Sequence, residues 1–260
     1  MFALNHDLHL HSTLSRCCHD EAMTPSFLAG YAQRSGYDVL CLTNHLWDRS
    51  VPGATPWYAT QDIEHLQTAL PLPKPEGVRF CFGCEVEFFG KGRLSLLPEH
   101  FACFDFVAVS INHMYKPSVA RPPEVETAPD MAELFTSRAE AFLELPIPMR
   151  KCGLAHLNTQ HLYPDTCSAD VLRLCDVSRW RRIFARAAQA GIGVELNATA
   201  FACAGDRMED HLSFFTLAKE EGCRFYCASD AHTVQALSLA PLASVVQALG
   251  LTREQRYWIP

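Results

Sequence analysis

Histidine and carboxylate residues recur at comparable places in this 260-residue sequence, which contains 12 histidines. They stand where short apolar runs give way to loops. The residues concerned are His9, His11, His45, Glu85, His113, His156, Asp230 and His232, with His19 in the loop after the first run. Imidazole and carboxylate groups are ligands with which proteins hold zinc, iron or manganese. The pattern therefore predicts a metal centre.

The spacing inside two of the runs supports a shared cation. Residues i and i+2 of a β-strand point to the same side, so His9 and His11 can bind one ion, and Asp230 and His232 repeat that spacing. One His-x-His pair is weak evidence, since about 0.5 pairs are expected by chance in such a chain. Recurrence along the chain carries the prediction. Nine candidate ligands exceed what one ion needs, so two or three ions are predicted, with Glu85 as a bridge.

The elements that must position these residues alternate between strand and helix. Seven short apolar strands are predicted, from ALNHDLHLH to CRFYCASDAH. Helices are expected at about 24–35, 61–70, 130–144, 168–191, 209–221 and 234–249. This alternation is typical of an α/β fold with a parallel sheet. A barrel is favoured over an open sheet, because barrels carry their chemistry at the carboxyl ends of the strands. No linker is found, so one domain is expected over residues 1–260.

Composition argues against several other classes of protein. Apolar residues make up 48% and charged residues 20%, which is ordinary for a globular domain. A net charge of −7 without a basic stripe disfavours a nucleic-acid partner. No apolar window approaches a membrane span and no signal-peptide pattern is present, so a cytoplasmic location is expected. Most of the 12 cysteines stand in apolar runs and are interpreted as buried free thiols in a reducing compartment.

The motifs DLHLHS, LTNH, GCEVE, SINH, GLAH and SDAH occur in the order and spacing that resemble the PHP (polymerase and histidinol phosphatase) superfamily, from His6 to about His232. The resemblance implies a distorted (β/α)7 TIM-like barrel, the PHP fold, with a trinuclear metal site. By position it implies one metal held by His9, His11, Glu85 and Asp230, a second by Glu85, His113 and His156, and a third by His19, His45 and His232. The first loop, LSRCCHDEAMT, departs from the common Ser-Asp pattern, so either His19 or Asp20 is expected as the ligand there.

We therefore expect a metal-dependent phosphoesterase of the histidinol-phosphatase-like type that hydrolyses a small phosphomonoester. A hydroxide activated by two to three Zn, Mn or Fe ions would be the nucleophile. The predicted catalytic residues are Glu85, Asp230 and His232, with Asp230 or His232 as the proton donor to the leaving group. The predicted substrate contacts are Lys116, Arg207 and His161.

Several alternatives stay open at this point. A phosphodiesterase or exonuclease is disfavoured by the acidic charge. An amidohydrolase-like hydrolase also begins with His-x-His, but it usually has a bridging Lys or a single terminal Asp. A non-catalytic metal-binding domain would have lost ligands, whereas each expected position is occupied here. Glu195 and Asn197 are interpreted as barrel-lining residues, and the loop with Trp47, Trp57 and Tyr58 either lines the substrate pocket or packs hydrophobically.

Overall fold

Parallel strands and helices alternate in the computed structural model, which describes residues 1–90, 92–114, 121–159 and 167–260. The strands are β1 (His6–Leu10), β2 (Val39–Leu42), β3 (His45–Leu46), β4 (Arg79–Glu87), β5 (Phe106–Ser110), β6 (Cys152–Leu154), β7 (Gly193–Asn197) and β8 (Arg224–Ala228). The α-helices are α1 (Pro25–Arg34), α2 (Ile63–Gln67), α3 (Ala128–Phe142), α4 (Ser168–Leu174), α5 (Val177–Ala190), α6 (Ala198–Ala202), α7 (Met208–Glu220) and α8 (Leu242–Ala248). The predicted α/β class is confirmed.

The strands form a nearly closed barrel. Their order is β1-β2-β4-β5-β6-β7-β8, with every neighbouring pair parallel. The short β3 follows β2 and also pairs with β4, so the two segments share one of seven strand positions. The first and last strands meet through a parallel bridge between Leu10 and Ala231, and the Asp230 N–H donates to the His9 carbonyl at 2.7 Å. The predicted (β/α)7 barrel is confirmed.

Alternation along the strands separates an inner apolar cluster from an outer one. On β4, Cys81 belongs to the inner cluster, whereas Phe82 and Cys84 pack with the helices in the outer cluster. Side chains of a strand alternate between its two faces, so Glu85 and Glu87 continue the inward series. Both carboxylates are almost completely buried. The barrel interior is therefore apolar along most of its length and becomes polar near the carboxyl ends of the strands.

The C-terminal segment covers the amino ends of the strands. The Tyr257 N–H donates to the Phe225 carbonyl at 2.8 Å, and the Arg79 guanidinium donates to the Ile259 carbonyl at 3.1 Å. Tyr257 and Ile259 belong to the inner apolar cluster. This end of the barrel is thus filled by side chains, which leaves the carboxyl ends for polar chemistry.

Two helix predictions are wrong in their extent. The helix expected over 168–191 is divided, because the side chain of Asp176 accepts from the Arg179 N–H at 2.8 Å and begins α5 separately. Ser168 is the first residue of α4, and Cys167 holds the cap position. The helix expected over 234–249 is a 3-10 turn at Val234–Ala236 followed by α8. Pro241 precedes α8, since proline fits the start of a helix and not its interior.

Two further predictions concern the cysteine thiols and the length of apolar helices. All 12 cysteines are free and eight of them are buried, in agreement with the interpretation as apolar core thiols. Among the described helices, none has the length and apolar character needed to span a membrane.

Candidate metal centre

The carboxylate of Glu85 stands at the centre of a cluster of histidines. It projects from β4 and is 1% exposed. One carboxylate oxygen, Oε1, lies 2.8 Å from Nε2 of His156 and 3.6 Å from Nε2 of His113. The other, Oε2, lies 2.8 Å from Nδ1 of His45. It also lies 3.5 Å from Nε2 of His9 and 3.6 Å from Nε2 of His11. Parallel strands end at the same edge of a barrel, which explains how residues from distant parts of the chain converge here.

Asp230 and His232 complete the cluster from the segment after β8. Oδ1 of Asp230 lies 3.2 Å from Nε2 of His11 and 3.7 Å from Nε2 of His9. The His232 ring stacks on the His11 ring with centroids 4.2 Å apart. The structure thus brings together eight of the nine predicted metal ligands.

Both acids of the cluster are held as anions. Burial by itself would raise the pKa of Glu85, but the charges of His45 and His156 and the hydrogen bond with His156 outweigh it and keep this pKa well below its usual value. Burial likewise opposes ionisation of Asp230, yet the neighbouring His9 and His11 hold its pKa below the usual value. Two carboxylates that stay ionised in a buried site require compensating positive charge.

The histidines divide into two kinds when no cation is bound. Burial alone would lower the pKa of His9 and of His156, but nearby carboxylates raise both, with Glu195 and Glu85 making the largest respective contributions. For His11, burial and the charge of His232 lower the pKa well below the usual value. Burial also lowers the pKa of His232. The nearby carboxylates therefore favour the protonated forms of His9 and His156, whereas burial favours the neutral forms of His11 and His232.

Several buried atoms of the cluster fit a cation better than they fit hydrogen bonds. Nε2 of His9, Nδ1 of His45 and Oε2 of Glu85 have no hydrogen-bond partner among the residues that the structure describes, although they face one another. Ligand atoms around one tetrahedral zinc lie about 3.3 Å apart when each ligand bond is about 2.0–2.1 Å. The 3.2–3.7 Å separations of His9, His11, Glu85 and Asp230 are close to that spacing.

Three groups in the described chain place their ligand atoms within 4.8 Å of one another. They are His9, His11 and Asp230; His9, Glu85 and His156; and His11, Cys17, His45 and His232. The first group contains three of the four ligands implied for the first metal, and the second shares Glu85 and His156 with the set implied for the second metal but has His9 where that set has His113. His113 adds to the second, since its Nε2 lies 3.6 Å from Glu85 Oε1.

The third group differs from the expectation, because it contains Cys17 and neither His19 nor Asp20. His19 is exposed. The Asp20 carboxylate accepts from the backbone N–H groups of Ala22 and Val234 at 3.0 and 2.9 Å, which uses it to fix the loop. In this structure Cys17 is thus the residue of the first loop that lies next to the histidines, whereas His19 or Asp20 as a metal ligand stays a prediction. The available signal was the Cys17-Cys18 pair, which sequence reasoning assigned to the core.

Glu195 supports the cluster from inside the barrel, as expected for a barrel-lining residue. Its Oε2 accepts from Nδ1 of His9 at 2.7 Å and from the Tyr226 hydroxyl at 3.0 Å. Its Oε1 accepts from the His156 N–H at 3.1 Å and from Asn197 Nδ2 at 2.8 Å. Glu195 thus orients His9 so that Nε2 faces the cluster. Such a partner of a metal-binding histidine fixes its tautomer and ring orientation.

Sequence reasoning missed the equivalent partner of His113. The Glu87 carboxylate accepts from Nδ1 of His113 and from the Tyr58 hydroxyl. The signal was present in the GCEVE motif, since Glu87 lies two residues after Glu85 on the same face of β4. His11 also has a partner, because its Nδ1 lies 3.1 Å from the Ser15 hydroxyl.

The predicted substrate contacts receive less support. Lys116 and His161 lie outside the described residues. The Arg207 guanidinium pairs with Asp170 at 2.6 Å and with Asp210 at 2.8 Å, which neutralises its charge and ties α4 to α7. Arg207 as a phosphate ligand stays a prediction.

The aromatic loop packs hydrophobically, as one of the two interpretations expected, and its part in a substrate pocket stays a prediction. Trp47 and Tyr58 are buried and pack in one cluster with Val51. Trp57 is half-buried, and its ring centroid lies 5.2 Å from that of His45. Trp57 is thus the member of this loop that borders the candidate metal centre, next to the tightly packed Trp47 and Tyr58.

The fold and the site together define an α/β barrel whose histidine-rich candidate metal centre lies at the carboxyl ends of its strands. This fold is shared with histidinol phosphate phosphatase from Lactococcus lactis, solved with zinc, L-histidinol and phosphate. That structure matches at a TM-score of 0.64 and 16% identity, over 97% of this chain and 98% of that chain. The likeness establishes the fold, which is the (β/α)7 barrel expected from the sequence.

Two other solved structures are more distant. A. niger ochratoxinase matches at a TM-score of 0.40 and 11% identity, over 96% of this chain and 68% of that chain. A triazine hydrolase variant matches at a TM-score of 0.30 and 12% identity, over 83% and 50% of the respective chains. No family model matches the sequence, and the search of curated proteins found no relative.

Proposed function

We propose that this protein is a metal-dependent phosphomonoesterase that acts on a small phosphorylated substrate. The observation that carries the proposal is the buried Glu85 carboxylate with imidazole nitrogens of five histidines within 3.6 Å. The shared fold with a phosphatase solved with zinc, L-histidinol and phosphate supports the same reaction class. Histidinol phosphate is therefore the first substrate to test.

Two to three divalent ions fit the donor groups. One would be held by His9, His11 and Asp230, with Glu85 shared between this ion and a second one. The second would have Glu85, His113 and His156, and a third would have His45 and His232 with a ligand from the first loop. When bound, such ions supply a hydroxide nucleophile at neutral pH and neutralise charge on the phosphoryl oxygens.

The contribution of the chain itself is to hold each donor in one protonation state and orientation. Glu195 accepts a hydrogen bond from the Nδ1–H group of His9, which leaves the Nε2 lone pair for a cation. Glu87 does the same for His113 through its Nδ1. Glu85 and Asp230 remain anionic, so they bind cations without first losing a proton.

Asp230 and His232 stand at the open side of the cluster. Their side chains are 18% and 31% exposed, whereas the Glu85 side chain is 1% exposed. A substrate that enters from solvent would meet these two residues first. Proton donation to the leaving oxygen by either residue stays a prediction, because Asp230 is held as an anion and His232 belongs to a candidate ligand group.

The test is a substrate panel of phosphomonoesters and phosphodiesters with protein loaded separately with Zn²⁺, Mn²⁺ or Fe²⁺. We expect two to three bound ions per chain by elemental analysis and hydrolysis of monoesters that a chelator abolishes. His9→Ala and Asp230→Ala should abolish the activity while leaving a folded protein by circular dichroism. His100→Ala is the matched control, because His100 pairs with Asp48 outside the cluster. Hydrolysis of diesters alone, or one bound ion or none, would overturn the proposal.

A further inference from the structure

Cys17 lies among three histidines of the centre. Its sulfur and one ring nitrogen from each of His11, His45 and His232 lie within 4.8 Å of one another. The rings are themselves grouped, since the His11 centroid is 4.2 Å from that of His232 and 4.7 Å from that of His45. Thiolate sulfur and imidazole nitrogen are donors that bind zinc. Because Nε2 of His11 also faces Asp230 at 3.2 Å, Cys17, His45 and His232 are the members of this group that remain for an outer ion.

The loop that carries Cys17 is fixed to the strand that carries His45. The Ser15 hydroxyl donates to Asn44 Oδ1 at 3.0 Å and accepts from the His45 N–H at 3.1 Å. The backbone of the loop turns back on itself, because the Ser15 N–H donates to the Ser12 carbonyl and the Cys18 N–H to the Ser15 carbonyl, both at 2.9 Å. These contacts determine the position of Cys17 independently of any cation.

The neighbours of Cys17 in sequence do not share its environment. The thiol of Cys18 donates to the carbonyl of His232 at 3.2 Å, and Cys18 is buried. His19 is exposed. Cys17 is half-buried and is the member of this tripeptide that shares a ligand group with the histidines.

We infer that the Cys17 thiolate is a metal ligand, and that it makes the outermost position of the centre a mixed sulfur and nitrogen site for a soft divalent cation such as Zn²⁺. This inference rests on the proposed metal centre and adds a ligand that the sequence resemblance did not imply. Thiolate ligands favour zinc over manganese or magnesium, whereas carboxylate and imidazole positions accept a wider range. In excess Mn²⁺ the outer position should therefore retain its Zn²⁺, whereas the two inner positions should exchange their ions for Mn²⁺.

Cobalt substitution tests the sulfur ligand directly. Co²⁺ bound to a thiolate shows an intense near-ultraviolet charge-transfer absorption that Co²⁺ bound only to nitrogen and oxygen lacks. We expect the band in the wild-type protein, in Cys18→Ser and in His19→Ala, and its loss in Cys17→Ser. A band that persists in Cys17→Ser, or wild-type protein that binds Co²⁺ without the band, would overturn the inference. Wild-type protein that binds no Co²⁺ would instead overturn the proposed metal centre.

A second measurement needs no variant and so does not depend on how Cys17→Ser folds. Wild-type protein is alkylated with iodoacetamide with and without Zn²⁺, and each cysteine peptide is quantified by mass spectrometry. We expect Zn²⁺ to slow alkylation of Cys17 at least tenfold and to leave Cys103 and Cys203, which are exposed, unchanged. Equal alkylation of Cys17 in both conditions, with bound Zn²⁺ confirmed by elemental analysis, would contradict the sulfur ligand.

Discussion

His156 and Asp230 share a left-handed backbone conformation, with φ of 37° and 54°, and the other described residues with positive φ are glycines. They follow β6 and β8, and each joins His9 in a candidate ligand group. Residues with a Cβ atom adopt this conformation at a cost of about 1–3 kcal/mol, and it persists where the surrounding structure imposes it. The strain is therefore located at two residues that direct side chains into the centre.

Glycine should be better tolerated than alanine at these two positions. His156→Gly and His156→Ala both remove the imidazole, but glycine adopts positive φ without strain. We expect the metal-free His156→Gly protein to be more stable than His156→Ala by about 1 kcal/mol, measured by urea unfolding. His113 is the matched control because it has an ordinary φ, so His113→Gly should be less stable than His113→Ala. The same order at both positions would show that His156 is unstrained.

Glu195 should act as a positioning residue for His9. Glu195→Gln keeps the shape of the side chain but replaces the acceptor of the His9 Nδ1 proton with a weaker neutral group. Loss of such partners typically costs about 10–100-fold in metal affinity or activity. We expect a drop of that size in Zn²⁺ affinity, measured by chelator competition, with a smaller effect on the melting temperature of the metal-free protein.

Tyr226→Phe provides the graded control for Glu195. It removes one hydrogen bond to Glu195 Oε2 and leaves the contact with His9 intact. Its Zn²⁺ affinity should therefore fall less than that of Glu195→Gln. A larger loss in Tyr226→Phe would assign the effect to packing inside the barrel and not to orientation of His9.

Removal of bound metal should lower the free energy of unfolding, because the metal-free protein loses the cation that Glu85 binds. A cation that binds the native state at 100 times its dissociation constant adds about 2.7 kcal/mol to the free energy of unfolding. For a chain of this size that corresponds to roughly 5–10 °C in melting temperature. We expect a chelator to lower the melting temperature of the wild-type protein and of His100→Ala by this amount, with little change in Glu85→Gln. An equal shift in Glu85→Gln would argue that the cation binds elsewhere.

Acid should destabilise the metal-free protein partly through His6. Burial, followed by the charge of Arg256, lowers the pKa of His6 from its usual 6.5 to about 3, and His6 Nε2 accepts from the Cys227 N–H at 3.1 Å. The unfolded chain therefore binds a proton below pH 6.5 that the folded chain excludes. Stability is fully present above that pH and falls as the pH decreases toward 3, by at most about 1.4 kcal/mol per pH unit.

His6→Gln isolates this contribution, since glutamine keeps an acceptor and does not titrate. Between pH 6.5 and 4 we expect the free energy of unfolding of metal-free His6→Gln to decline less steeply than that of the wild-type protein, measured by urea unfolding. Parallel slopes in the two proteins would assign the acid sensitivity to other groups.

Much of the barrel follows from local patterns in the sequence. The apolar runs ending in His9, Glu85 and His156 predict the strands and the edge at which they meet, because parallel strands align their carboxyl ends. Helix ends are less well determined, as the break at Asp176 shows: its carboxylate caps a new helix within a pattern that is helical throughout. The boundary depends on one hydrogen bond of one side chain, and the spacing of apolar residues in the sequence does not predict that hydrogen bond.

The sequence alone predicts the barrel class and eight of the residues that the structure brings together in the candidate metal centre. The fold in three dimensions places Cys17 of the first loop, and not the exposed His19, next to these residues, because Ser15 contacts Asn44 and His45. It also supplied Glu195 and Glu87 as partners of His9 and His113. Residue type and strand period specify which side chains face the centre, whereas contacts between distant segments specify which atoms meet there.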